Sequence, residues 1–530
     1  MKIALAQINP IVGDLGFNSA KIIDLIEEAR QEKADLIVFP ELCVTGYPPE
    51  DLLLKPKFIA DNRAALDRIV AASKGIAVYV GFVDSDKETL YNAAAFIENG
   101  KIKEIYRKMN LPNYGVFDEK RYFQAGTRSS VVEYKGTKIG LGVCEDIWVE
   151  PGPYEIEVKQ GAQIIVNINA SPYHVGKIKE REALLKHRSE QAKAYFVYVN
   201  LVGGQDELVF DGGSMVFDPK GELLAACDQF REELLFVDLT QDRLIDWRWL
   251  DGPEEIYQAL VLGVKDYVGK NGFSDVLIGL SGGIDSALTA AIAADALGQE
   301  RVHAIFMPSQ YTSEQSLRDA KEVASNLGIE FAEIPIAGVF ADYLKVLKPN
   351  FKGQPENLTE ENLQARIRGN YLMALSNKFN WLVLTTGNKS EMSTGYCTLY
   401  GDMAGGFAVI KDVPKTMVYG LVGWLNKKKA VIPEAVIKRA PTAELKPNQT
   451  DQDTLPPYDV LDPIMRAYVE ENQSVKEIIG RGFEAKTVEK VIGLIDRSEY
   501  KRRQAPPGPR ITARAFGKDW RVPITDHYKE

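Results

Sequence analysis

The stretch SGGIDSA at residues 281–287 decides the reading of this chain. It follows the apolar run DVLIGL (275–280) and precedes ALTAAIAADALG, which has the composition of a helix. It therefore falls on a strand-to-helix turn. Gly282 and Gly283 let the backbone approach an anion closely. Ser281 and Ser286 add hydroxyl donors, and the free N–H groups of the helix start face the same spot. That is a phosphate cradle. It lacks the lysine of a Walker A loop. An aspartate inside an anion site, Asp285, repels phosphate unless a cation lies between them, so Asp285 implies Mg²⁺. An ordinary glycine-rich turn is the plain alternative, but S-G-G-x-D-S is far more specific than a lone G-x-G-x-x-G.

The loop resembles the pyrophosphate-grasping loop of N-type ATP pyrophosphatases, which split ATP into AMP and pyrophosphate. Its surroundings fit. A long amphipathic run, DGPEEIYQALVLGVKDYVGKNG, precedes it, and RVHAIFMP (301–308) and WLVLTTG (381–387) read as further buried strands. Helix–strand alternation predicts a doubly wound parallel sheet, with nucleotide at the carboxyl ends of its strands.

Residues 1–245 have a different grammar. MKIALAQI, ADLIVFP, IAVYVGF, TKIGLGV and AQIIVNI read as buried strands, with amphipathic helices such as SAKIIDLIEEARQEK between several of them. Two hairpins are predicted, one at 93–106 turning at Asn99-Gly100 and one turning at 218–221. This predicts a layered α/β/β/α sandwich over 1–245 and a second domain over 250–530. The short junction near 245–252 implies docked halves. Segments 348–358 and 441–462 read as loops, and the basic, proline-rich tail 501–510 reads as a solvated extension.

The chain has 530 residues, 45% hydrophobic and 26% charged, with net charge −10. That length predicts two or three domains. The negative balance argues against a nucleic-acid partner. No apolar stretch is long enough to span a membrane, and the start does not read as a signal peptide. Four scattered cysteines, Cys43, Cys144, Cys227 and Cys397, fit a reducing cytoplasm better than a disulfide scaffold. Only four histidines occur, His174, His187, His303 and His527, which weakens any histidine-based triad.

Cys144 ends the strand TKIGLGV, so its thiol is presented on a sharp turn and the following N–H, of Glu145, faces a developing oxyanion. A thiol needs a base or a cationic neighbour near neutral pH. Glu41, at the end of ADLIVFPE, can take the proton, and Lys108, after the first hairpin, can stabilise thiolate and oxyanion. Cys43, two residues after Glu41, is the alternative nucleophile. The contexts PELCVTGY, RKMNLPNYGVFDE and GVCEDIW resemble the nitrilase (carbon–nitrogen hydrolase) family with its Glu-Lys-Cys triad. The resemblance implies that Tyr114, Phe117, Glu145 and Ser171 form a glutamine pocket. Glu145 would meet the α-ammonium and Lys177 the α-carboxylate.

A glutaminase joined to an ATP pyrophosphatase describes a glutamine amidotransferase. ENLQARIRGNYLMALSN (361–377), TTGNKSEMSTGYCTLYGDMAGGFAVIKDVPKT (385–416), APTAELKPNQTDQD (440–453) and the ending PPGPRITARAFGKDWRVPITDHY resemble the NAD⁺ synthetase family. That resemblance implies ATP contacts from Gly279, Ser281, Gly282, Gly283, Asp285, Ser286, Arg366, Thr386 and Lys415. It implies deamido-NAD⁺ contacts from Asn362, Glu391, Asp402 and Lys415, and Mg²⁺ ligands from Asp285, Glu391 and Thr442. It also implies a homo-oligomer, a dimer or higher up to an octamer. Ammonia would be protonated and diluted in bulk water, so an internal passage between the sites is expected. Other ATP pyrophosphatase amidotransferases carry different glutaminase domains and lack GNKSE…YGD. A tRNA-thiolating enzyme would show a sulfur-relay cysteine pair and a basic face, and neither is visible.

Overall fold

The structure is a computed structural model describing residues 1–241, 245–447 and 449–528. Residues 242–244 near the end of the expected first domain lie outside the described residues, as does position 448 of the expected loop 441–462. The chain divides into two compact units, Met1–Leu250 and Asp251–Glu530.

The first unit is built on two six-stranded sheets. One runs in the order Glu233–Asp238, Lys2–Gln7, Leu36–Val38, Ala77–Asp86, Thr89–Glu98, Lys101–Arg107. The other runs Leu223–Ala226, Met215–Phe217, Tyr195–Asn200, Ile164–Asn169, Thr137–Val143, Ser130–Tyr134. Alternation along the strands sorts the two faces. Ile3 and Leu5 join Val38, Tyr79, Leu141, Val166 and Val197 in the core between the sheets. Ala4 and Ala6 face the other way, onto Ile22, Ile26, Leu66 and Ile69 of the helices Leu15–Gln31 and Pro56–Ala72. Leu185 of the helix Lys177–Ala192 covers the outside of the second sheet with Tyr198 and Phe217. This is the predicted α/β/β/α sandwich. The first hairpin turns at Asn99 and Gly100, both at positive φ (50° and 77°), as a tight two-residue turn requires.

The second unit holds five parallel strands in the order Glu330–Glu333, Val302–Phe306, Val276–Gly279, Leu382–Thr385, Phe407–Ala408. Leu277, Ile305 and Val383 pack against Phe340, Leu363 and Leu372 from the helices Ala337–Phe351 and Leu358–Phe379. Val276, Ile278 and Ala304, of opposite parity, are equally buried, and the helix Ile284–Leu297 contacts their strands. Strand order reverses between Val276–Gly279 and Leu382–Thr385, which is where a doubly wound sheet opens a ligand crevice.

Three sequence readings need correction. Segment 441–462 is not all loop, because the short helical turn Asp451–Asp453 and the start of the helix Tyr458–Val469 lie within it. Helix runs through 348–351, with Pro349 inside it, so the expected loop shrinks to 352–357. The tail 501–510 is not a solvated extension. Arg502 and Arg510 are buried, Ala408 N–H donates to Pro507 O at 2.8 Å, and a Cβ on Gly508 would lie 2.0 Å from Ala408 O. Its charges are matched inside the fold by Glu499 and Asp519, which composition alone does not reveal.

Candidate active sites in the two units

In the first unit, strand ends deliver the chemistry. The strand Thr137–Val143 stops at Cys144, whose φ of +46° marks a strained elbow leading into the short turn Cys144–Ile147. Asp146 fixes that elbow. It accepts from Tyr106 Oη (2.8 Å), Asn110 N (2.8 Å) and Met109 N (3.2 Å), so the segment carrying Lys108 is tied to the turn carrying Cys144.

Glu41, Lys108 and Cys144 are all buried. Lys108 Nζ donates to Glu41 Oε1 at 2.7 Å and to Glu119 Oε1 at 2.8 Å. Glu41 also accepts from Asn92 Nδ2 (2.7 Å) and Ala170 N (2.8 Å), which fixes both oxygens. Burial pulls the Lys108 ammonium down, but the Glu119 and Glu41 carboxylates outweigh it and hold it well above the ordinary lysine value. Burial, then the Glu41 charge, pushes the Cys144 thiol well up, with Lys108 opposing. The resting nucleophile is therefore a thiol that needs a base when it attacks, and Glu41 is placed among the same charges.

Cys43 does not share this site. The strand ends at Val38, and the chain then turns Cys43 into the helix-side core, where Sγ donates to Gly81 O at 3.6 Å and burial pushes its pKa to about 12. Glu119 was absent from the sequence reading. Burial raises it to about 7 despite Lys108, and Tyr47 Oη donates to it at 3.0 Å. It is the last residue of RKMNLPNYGVFDE, the segment that carries Lys108 and Phe117, but no local pattern distinguishes it from a surface glutamate.

The expected glutamine-pocket residues group as follows. Tyr114 Oη donates to both Glu145 oxygens at 3.1 Å, and its ring meets Phe117 edge-on at 5.5 Å. Burial raises the Glu145 carboxyl, and Lys177 is among the charges that pull it back. Ser171 is buried, its N–H donating to Asn200 Oδ1 at 2.9 Å while Arg181 holds its carbonyl at 3.0 Å. Lys177 Nζ pairs with Glu180 at 2.8 Å and lies 4.0 Å from the Trp148 ring centroid.

In the second unit the loop 280–283 leads directly into the helix Ile284–Leu297. Gly282 has φ +80°, and a Cβ there would lie 2.4 Å from Ser316 O, so only glycine fits. Ser281 N donates to Ser286 Oγ (3.2 Å) and Gly283 N to Ser281 Oγ (3.2 Å), so the hydroxyls brace the loop. Beside it is a cavity of about 190 Å³ lined by Ser281, Gly283, Asp285, Ser286, Thr386, Glu391, Asp402, Lys415 and Thr442, among others. Lys415 Nζ pairs with Asp285 and lies 3.9 Å from Glu391 Oε1. Burial lowers the Lys415 ammonium, but Asp285 and Glu391 more than restore it. Burial and the Asp285 charge hold the Glu391 carboxyl well up. Thr442 Oγ1 donates to Gln449 O at 2.6 Å.

A larger cavity of about 470 Å³ adjoins it, sharing Ser281, Thr386 and Asp402 and adding Gly279 and Asn362. Its size suits a nucleotide. Asp402 accepts from Thr398 N at 2.6 Å, and Asn362 Oδ1 from Thr398 Oγ1 at 2.9 Å, so one threonine orients both. Arg366 lines neither cavity, because its Nε donates to Leu399 O at 3.2 Å. Arg368, two residues on, takes that place and donates to Met307 O at 3.0 Å. Burial lowers its guanidinium to about 10. Lys501, from the tail expected in solvent, also lines the cavity and donates to Gly395 O (2.7 Å) and Cys397 O (2.8 Å).

Among the described residues, no set of three or more His, Cys, Asp or Glu side chains is arranged to hold a metal by itself. Asp285 and Glu391 nonetheless face one cavity with hard oxygens. Two carboxylates suit Mg²⁺, which takes most of its shell from phosphates and water. No described helix is long and apolar enough to cross a membrane.

Comparison with known proteins agrees with this division. Residues 2–249 match the carbon-nitrogen hydrolase family and residues 256–505 the NAD synthase family. The glutamine-dependent NAD(+) synthetase of Thermotoga maritima is 49% identical over 100% of this chain and 99% of its own length. That of Acinetobacter baylyi is also 49% identical, with the same coverage. The structure of the Acinetobacter baumannii glutamine-dependent NAD⁺ synthetase, a complex with ADP, superposes with a TM-score of 0.81 at 46% identity, covering 99% of this chain and 98% of that one. Identity at this level along both full lengths shows that the chain belongs to the glutamine-dependent NAD(+) synthetase family.

Proposed function

We propose that the chain converts deamido-NAD⁺, ATP and glutamine into NAD⁺, AMP, pyrophosphate and glutamate, the last step of NAD⁺ formation. The observation that carries this reading is a pairing within one chain. A buried Glu41–Lys108 pair lies among the charges felt by an elbow cysteine, and a lysine-free phosphate loop holds an aspartate.

In the first unit, Glu41 takes the Cys144 proton as sulfur attacks the side-chain amide of glutamine. Lys108 and the Glu145 N–H stabilise the oxyanion. The proton passes to the leaving nitrogen, ammonia departs, and a thioester remains. Water, deprotonated by Glu41, releases glutamate and restores the thiol. Tyr114, Phe117 and Ser171 shape the pocket, with Glu145 toward the α-ammonium and Lys177 toward the α-carboxylate.

In the second unit, the nicotinate carboxylate attacks the α-phosphorus of ATP and expels pyrophosphate. Ammonia then adds to the acyl-adenylate and displaces AMP. The 280–283 loop, with Gly279 before it and Asp285 and Ser286 after it, cradles the leaving phosphates, with Thr386 and Lys415 beside it, and Arg368 takes the role the sequence gave to Arg366. Asn362, Glu391 and Asp402 orient deamido-NAD⁺. Asp285 and Glu391, with Thr442 alongside, would hold Mg²⁺, which when bound screens phosphate charge. That ammonia reaches the second site without being protonated and diluted in bulk water belongs to the proposal. So does a homo-oligomer, which sedimentation of the purified chain would detect.

The test is NAD⁺ formation by purified protein with ATP, Mg²⁺ and deamido-NAD⁺, supplied with either glutamine or ammonium. Product with both donors is expected. Product with neither overturns the reading.

A further inference from the structure

Lys177 occupies an unusual place for a cation. It is the first residue of the helix Lys177–Ala192, at the positive end of the helix dipole, where an ammonium is disfavoured. Its side chain is only 19% exposed. Such a group needs something to hold it in place. One support is Glu180, on its own helix, at 2.8 Å. That carboxylate is 54% exposed and free to swing into solvent.

The other support comes from the nucleophile's own turn. Trp148 closes the turn Cys144–Ile147, and the Lys177 ammonium lies 4.0 Å from its ring centroid. The turn that carries the ring is braced through its backbone. Trp148 N–H donates to Glu145 O at 3.0 Å, buried Arg188 holds the neighbouring Ile147 carbonyl at 3.3 Å, and the indole packs against the outer core of the second sheet. The Lys177 charge is felt in turn at Glu145, the residue following the nucleophile.

We propose that Trp148 is a positioning residue for glutamine. Its indole face holds the Lys177 ammonium at a fixed offset from Cys144, so that it can receive the α-carboxylate of the substrate. The inference rests on the reading of Lys177 given above. An arginine in that position would bring its own planar fork. A lysine is a point charge on a flexible stem and needs an external guide. A cation–π contact supplies one without neutralising the charge, as a carboxylate would. Four residues then connect the nucleophile to the substrate clamp, so the α-carboxylate is located relative to sulfur by one rigid turn.

The test is a double-mutant cycle on the full chain, read as the KM and kcat of glutamine hydrolysis. Ammonium-dependent NAD⁺ formation, which bypasses this site, serves as the folding control. Trp148→Leu should raise the KM for glutamine about fivefold to tenfold with little change in kcat, the range a partly desolvated cation–π contact supports. Trp148→Phe should keep most of the affinity. In a Lys177→Met background, Trp148→Leu should add less than about twofold, because the group it positions is gone. An undiminished effect in that background, or an unchanged KM for Trp148→Leu alone, overturns the proposal and leaves the assignment of Lys177 standing. An unchanged KM for Lys177→Met overturns that assignment and this inference with it.

Discussion

Lys108 Nζ lies 2.7 Å from Glu41 Oε1, and both side chains are sealed from solvent. A buried ammonium must be paired, and here Glu119 supplies a second partner at 2.8 Å. Two carboxylates on one cation explain how a base can remain close to a thiol that burial keeps protonated. Removing any member should therefore affect stability and chemistry together.

Lys108→Met should cost on the order of 3–5 kcal/mol, because it leaves Glu41 and Glu119 buried without a counter-charge. Urea denaturation of the variant against the parent reads this directly. Adding Glu119→Gln should recover part of the loss. If the single variant is as stable as the parent, the pairing contributes little.

Glu119 sets a pH dependence. Its carboxyl titrates at about 7 in the folded chain against an ordinary 4.5, so the folded state keeps a proton that the unfolded state releases. Stability from this group is fullest below about 4.5 and falls as pH rises through about 7. Glu119→Gln should flatten the fall in denaturation midpoint between those two pH values. An unchanged slope would mean that Glu119 is ionised throughout.

Asp285→Ala should lower NAD⁺ formation about a hundredfold or more with either nitrogen donor, since metal screening of phosphate supplies several kcal/mol. Glutamate release from glutamine should persist. Near-normal synthesis by the variant would reduce the loop to a structural turn.

The sequence carried the parts of this account whose meaning is local. The loop 281–287 needs two glycines, hydroxyls and an aspartate within one turn, and Gly282 at φ +80° against Ser316 shows why the pattern is strict. Both hairpins and the alternating strands are likewise short-range signals. What escaped depends on tertiary partners. Glu119 matters only because Lys108 and Tyr47 converge on it. Arg366 and Arg368 are two positions apart on one helix, and composition does not say which of them turns toward the cavity. Cys43 is the alternative nucleophile only if the strand carries on two residues past Glu41, but it ends before either residue. The basic tail looked solvated because what ties it down is tertiary: Arg502 donates to Ser393 O at 2.6 Å and Pro507 O accepts from Ala408 N at 2.8 Å, in a run that reads as charged and proline-rich.

The central claim is that one unit only releases ammonia and the other only consumes it. Cys144→Ala tests this most directly, with NAD⁺ formation measured under saturating ATP and deamido-NAD⁺. Synthesis from glutamine should vanish while synthesis from ammonium stays close to that of the parent. Equal loss of both activities in a folded variant would contradict the account.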